Sequence, residues 1–156
     1  MKFNLPHIKE YISEQSNTTK IYIGVDSERV KINGLWYADY TAAIVVHIDS
    51  KHGCKLFGEV TRERDFDKPN RPNTRLMTEV YKASALYLSL VDVVGDREMF
   101  VHLDINPNEF HASSNVVAQA IGYIRGTCNV TPSVKPYAWA ASTAADRFRS
   151  LKIANE

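Results

Sequence analysis

The chain has 156 residues, 44% of them hydrophobic and 10% aromatic, which suits a single domain (1–156) with one packed core. Its 19 basic and 18 acidic residues leave a net charge of +1, which excludes whole-molecule attraction to a polyanion, so any affinity for nucleic acid has to come from local patches. Residues 1–16 lack the apolar stretch of a secretion signal and no run is long enough to cross a bilayer, so a cytoplasmic protein without a membrane partner is expected. Cys54 and Cys128 have no zinc-site spacing and are expected as buried thiols.

In chain order, Leu5, Ile8 and Ile12 recur at helical spacing, predicting a short accessory helix within residues 1–18. Ile21 to Val25 is apolar at every position, the pattern of a central strand covered on both faces, and it ends at Asp26. Asn33-Gly34 supplies the positive φ angles of a tight hairpin turn into a second, antiparallel strand. That strand places Trp36, Ala38, Tyr40, Ala42, Ile44, Val46 and Ile48 on every second position. A turn at 50–53 leads to a third strand from Cys54 to Thr61, and residues 64–73, with two prolines, form a loop in front of a helix capped by Thr74.

That helix, Arg75 to Val91, carries Leu76, Val80, Ala83, Tyr87 and Leu90 on one stripe. Met99 to Leu103 makes a fourth strand ending at Asp104. Ser114 to Arg125 forms a helix with Gly126 at its end. Residues 129–135 read as a fifth strand, confined to an edge because Pro132 lacks a ladder donor. A last helix starts near Ser142. The expected fold is α/β, a five-stranded mixed sheet in the order β-β-β-α-β-α-β-α with helices on both faces.

A crossover helix between strands three and four allows strand four to run parallel beside strand one, so that Asp26 and Asp104 emerge together. Each aspartate alone would be an ordinary turn residue, but two at neighbouring strand ends, where open α/β sheets bind ligands, suggest a site. Glu79 falls about 60° from Leu76 and about 40° from Ala83 around its helix, on the side that packs against the sheet. Three such carboxylates repel by roughly 4 kcal/mol per pair at 4 Å and an effective dielectric of 20. They must therefore bind protons or a cation, and a set of hard oxygens favours Mg²⁺ or Mn²⁺ over zinc. The phase of Asp146, nearly opposite the stripe of Ala141, Ala144, Phe148 and Leu151, reads equally well as a surface residue paired with an arginine.

The strand-end Asp, helix Glu, strand-end Asp and late Asp resemble the acidic set of ribonuclease H-like nucleases. The segments Ile23-Gly24-Val25-Asp26-Ser27, His102-Leu103-Asp104-Ile105-Asn106, Ile121-Gly122-Tyr123-Ile124-Arg125-Gly126 and Lys135-Pro136 to Arg147 are similar to the YkuK-type ribonuclease H-like family, over about residues 21–148. The resemblance implies a nuclease, a hydrolase of phosphodiester bonds using two metal ions about 3.5–4 Å apart. It further implies that Asp26 bridges the ions, that Asp104 and Glu79 hold one of them, and that Asp146 completes the second site. An acidic residue commonly follows the Lys-Pro pair in that family, whereas this chain has Tyr137.

His102 shares a strand face with Asp104 and has two readings, a proton-transfer or phosphate-contacting group and a satisfied core residue. Ser27 either binds a ligand oxygen or caps the turn. Lys135, Arg147, Arg149 and Lys152, with Tyr137 and Trp139, have two readings, a patch where cations meet phosphates and rings stack on bases, and solvated surface charges around a partly buried Trp. Arg62, Arg64, Lys68, Arg71 and Arg75 form a weaker one against Glu63, Asp65 and Asp67. Nothing in either patch selects RNA, DNA or a hybrid as the nucleic-acid partner. The alternative function is a catalytically silent nucleic-acid- or protein-binding domain, which Tyr137 and the phase of Asp146 favour.

Overall fold

The computed structural model describes residues 2–67, 73–105 and 114–154. Helix α1 (Leu5–Ser13) starts on Asn4, whose side chain accepts from the amide of His7, and Pro6 sits where a helix start tolerates proline. Strands β1 (Lys20–Ile32), β2 (Leu35–His47) and β3 (Cys54–Arg64) form an antiparallel meander. The β1–β2 turn puts Asn33 at φ 52° and Gly34 at φ 81°, as its sequence demands. Helix α2 (Asn73–Val94) crosses the sheet to β4 (Glu98–Leu103), which runs parallel to β1. Helix α3 (Ser114–Cys128), a π-helical turn (Ala140–Ala144) and helix α4 (Ala145–Ala154) complete the chain.

Among the described residues the sheet has four strands, in the order β3-β2-β1-β4, and not the expected five. The segment around Ser133 reaches β4 only as a single parallel bridge to His102. Ser133 donates to the carbonyl of Val101 and accepts from the amide of Leu103, and Lys135 donates to Ile105, but Pro132 offers no donor to extend the ladder.

The sheet is covered on both faces. Register puts Ile21, Ile23, Val25, Ile44 and Val46 on one face, under α2. The π turn and α4 cover the other face. Ile8 and Ile12 are buried in the main core, so α1 is part of the packed body and not the accessory expected. Arg97 fastens its end by donating to the carbonyls of Ser13 and Ser16, at 3.2 Å each, and of Gln15.

Three local expectations change. α2 begins at Asn73 and is capped from outside by Asp67, whose carboxylate accepts from the amides of Thr74 (3.3 Å) and Arg75 (2.9 Å). α3 runs through Gly126 to Cys128 and ends where Asn129 adopts φ 57°. Cys54 is exposed because it opens the edge strand, while Cys128 is buried against Ser84. No described helix is long and apolar enough to cross a membrane.

Candidate functional site

The parallel ladder of β1 and β4 ends at the pair Val25–Leu103, so Asp26 and Asp104 are the next residues of neighbouring strands. Asp26 does not end its strand as expected: β1 continues to Ile32, and what stops is its partner. Alternation fixes which way Asp26 points. A Cβ on Gly24 would lie 2.4 Å from backbone atoms of Ala140 and Ala141, so Gly24 faces the π turn, and Asp26, two residues on, shares that face. Thr41 of β2 is its direct cross-strand neighbour. Burial first, and then the charge of Asp104, push the Asp26 carboxyl up to about 6, with a side-chain hydrogen bond to Asp104 acting in the same direction. The Ser27 amide and the Arg149 charge oppose that rise.

Glu79 arrives from the opposite face. It is 4% exposed on α2, and its Oε1 accepts from Ser27 Oγ at 2.6 Å. Burial is the main reason its carboxyl rises to about 8; the charges of Asp26 and Asp104 add to the shift, while Ser27 and Arg75 oppose it. Arg75 Nη1 lies 3.3 Å from Ser27 Oγ and 3.4 Å from its carbonyl oxygen. The three carboxylates therefore act on one another electrostatically, but from two sides of the sheet. Among the described residues no three His, Cys, Asp or Glu side chains stand close enough together to hold a metal ion.

Cations surround the cluster. Lys135 Nζ is 3.1 Å from Asp104 Oδ1. Arg149 pairs with Asp146 at 2.6 Å through Nη2 and lies 3.3 Å from Glu28 through Nη1. Asp146 is exposed and held in this pair by its i+3 neighbour, so the structure does not bring it to the other carboxylates. Arg147 is exposed on the same helix, and the side chain of Lys152 lies outside the described residues, as do Lys68 and Arg71. Trp139 is partly exposed and packs on Tyr22, with ring centroids 4.5 Å apart.

His102 is 3% exposed, and its Nδ1 accepts from the amide of Ala140 at 3.1 Å, next to Trp139 and Tyr22. Burial pushes its pKa down to about 4, so it is a neutral imidazole at physiological pH. Its accepting nitrogen serves the start of the π turn.

Four side-chain polar atoms among the described residues are buried without a hydrogen-bond partner: Thr41 Oγ1, Arg75 Nε, Asp104 Oδ1 and Arg149 Nη1. All four surround Asp26 and Ser27. Thr41 stands opposite Asp26, the charges of Asp104 and Arg149 act on it, and Arg75 contacts Ser27. Asp104 Oδ1 and Arg149 Nη1 each lie near an opposite charge, at 3.1 and 3.3 Å, but without hydrogen-bond geometry. Unsatisfied buried polar groups are few in folded proteins, and here three of them lie around Asp26 while Arg75 Nε lies beside Ser27 on the other face of β1.

Thr41 escaped the sequence reading because a threonine on an alternating strand looks like ordinary β-propensity. The hairpin register could have found it, since counting back from Asn33-Gly34 pairs it with Asp26. Arg75 and Arg149 were visible only as members of basic patches.

In a comparison with protein families, the model described as Ribonuclease H-like matches residues 5–150. No curated protein matches the chain.

Proposed function

The chain belongs to the ribonuclease H-like family, and from that premise we propose that it is a metal-dependent nuclease that hydrolyses phosphodiester bonds at the Asp26–Asp104 pair. The observation that carries this reading is the set of four unpartnered polar atoms around Asp26 and Ser27. Arg75 Nε and Arg149 Nη1 are guanidinium N–H groups without a hydrogen-bonded acceptor, which a phosphate oxygen would supply, and Asp104 Oδ1 is a carboxylate oxygen facing Lys135, a cation that a divalent ion would replace. A phosphodiester accompanied by a hard divalent ion answers both demands.

The donor chemistry fits Mg²⁺ or Mn²⁺, because Asp26, Asp104 and Glu79 supply only hard oxygens, and burial and mutual repulsion hold two of them above their ordinary pKa. Asp26 and Asp104 would hold the ion. Glu79 would join on release from Ser27, and Asp146 on release from Arg149. When bound, the ion would lower the pKa of an attacking water and neutralise charge on the phosphate. Arg75 through its Nε–H, and Arg149 on release from Glu28, would orient the phosphate. Ser27 holds Glu79 and Arg75 in place, and Lys135 balances Asp104 in the absence of the ion. Arg147 and Trp139 would contact further nucleotides of the substrate.

The test is cleavage of labelled single-stranded, duplex and hybrid substrates in Mg²⁺ or Mn²⁺. Wild type should cleave at least one of them, and Asp26→Asn should lose more than about 100-fold of the rate. Equal cleavage by both proteins would remove the mechanism. The surface position of Asp146 and the Lys135–Asp104 pair favour a second reading, a binding domain that retains the fold without turnover. Absence of cleavage, together with no rise in melting temperature on adding metal, would select it.

A further inference from the structure

The pairing of β1 with β4 ends at Val25, and β1 and β2 continue as an arm on whose outer edge β1 has no strand partner among the described residues. On the face shared with Ser27, that arm carries Arg29 and Lys31, and Trp36 stands opposite Lys31. The Arg29 guanidinium lies 4.3 Å from the Trp36 ring centroid, and Lys31 Nζ lies 5.6 Å from it. Trp36 remains 38% exposed. The pattern repeats at the side of the arm, where Arg64 lies over Tyr37 at 5.3 Å and over Phe66 at 5.0 Å, with Phe66 81% exposed.

An edge lysine by itself is a common device against edge-to-edge pairing, and long cationic side chains often shield a neighbouring ring. Neither device explains why two large rings stay so open next to the cations. A ring with a cation beside it suits a nucleotide, because the ring stacks on the base while the cation meets the phosphate. An acidic peptide would use the charges but leave the rings idle, and an apolar partner would strand the charges. From Ser27 to Lys31 the strip runs about 13 Å, and its inner end is the Ser27–Arg75 contact beside Glu79.

We propose that the β1–β2 arm is a docking strip for single-stranded nucleic acid, through base stacking on Trp36 and Phe66 and phosphate contacts to Lys31 and Arg64. It thereby leads a strand to Ser27 and Glu79, on the face of β1 opposite Asp26. The second part rests on the nuclease reading; the first does not. A single strand fits better than a duplex because stacking on a protein ring requires a base face that a paired helix keeps covered.

The test uses the full chain in EDTA, so that binding is measured apart from turnover. The fluorescence anisotropy of labelled dT12 and rU12 is compared with that of a 12-base-pair duplex and of a 12-residue polyglutamate. Wild type should bind the single strands at least about tenfold more tightly than duplex or polyglutamate. Trp36→Ala should weaken the single-strand affinity about tenfold and Trp36→Phe should largely keep it. Lys31→Glu should weaken binding and reduce the slope of log affinity against log salt by about 1. Lys31 is exposed, so its variant remains informative if Trp36→Ala fails to fold.

No binding of dT12 or rU12 by wild type, equal binding of polyglutamate, equal or tighter binding of duplex, or wild-type affinity in both Trp36→Ala and Lys31→Glu would overturn the strip. If the binding pattern holds but no substrate is cleaved in Mg²⁺ or Mn²⁺, the strip stands and the nuclease reading falls. If wild type cleaves and both arm variants cleave with unchanged KM, the strip falls and the nuclease stands.

Discussion

At the scale of single residues, the buried titratable groups pull the pH dependence of stability in two directions. Glu79 ordinarily titrates near 4.5, and burial raises it to about 8, so the native state keeps a proton that the unfolded chain has released. Its contribution is complete below the unfolded value and is lost as pH rises through about 8. Asp26, raised to about 6 by burial and Asp104, acts in the same sense at lower pH. His102, pushed down to about 4, acts oppositely, and its contribution is lost as pH falls from about 6.5 towards 4. Between pH 6.5 and 8 Glu79 therefore dominates these three. In EDTA the unfolding free energy of wild type should fall by about 1–2 kcal/mol across that interval in urea titrations, and Glu79→Gln should flatten the curve. A flat wild-type profile would refute the assignment. Strand order and helix phase are local patterns, so the neighbouring strands of Asp26 and Asp104 and the sheet-facing side of Glu79 were legible, while the continuation of β1 past Asp26 was not. The sequence left the state of His102 open, because only the structure supplies the Ala140 amide that occupies Nδ1.

Among the elements, the π turn depends on a residue in another strand. Gly24 leaves space for the backbone of Ala140 and Ala141, and no rotamer change can move backbone aside. Gly24→Ala should therefore cost about 3 kcal/mol or more in urea denaturation. Gly58 is a useful contrast, since the nearest atoms a Cβ there would meet belong to the Phe148 ring. That ring can turn, and Gly58→Ala should cost about 1–2 kcal/mol. If the two variants lose equal stability, rigidity of the π turn is not what distinguishes them. Strands β1 to β4 and helices α2 and α3 were legible because alternation, helical stripes and Asn33-Gly34 agree along each segment. The fifth strand was misread, since strand propensity over 129–135 does not reveal that Pro132 limits pairing to one bridge. The π turn left no trace in the pattern, because a run of alanines and small polar residues suits any helix.

For the whole molecule, the burial of Ile8 and Ile12 ties the first turns of the chain to the sheet. Ile12→Ala should cost about 2–5 kcal/mol and shift one cooperative thermal transition, with no separate early melting step. An independent low-temperature transition would restore α1 to the role of an appendage. Of the features that set up the site, the unequal lengths of β1 and β4 reach furthest. Asp26 and Thr41 form one rung of a continuous ladder, whereas Asp104 lies one step past the last rung of its strand. Amide exchange in D₂O should then divide the site in two, slow at Asp26 and Thr41, at the rate of global opening, and faster at Asp104. One aspartate is set inside the ladder and the other just beyond its end, so the two halves of the site are held by different amounts of strand pairing.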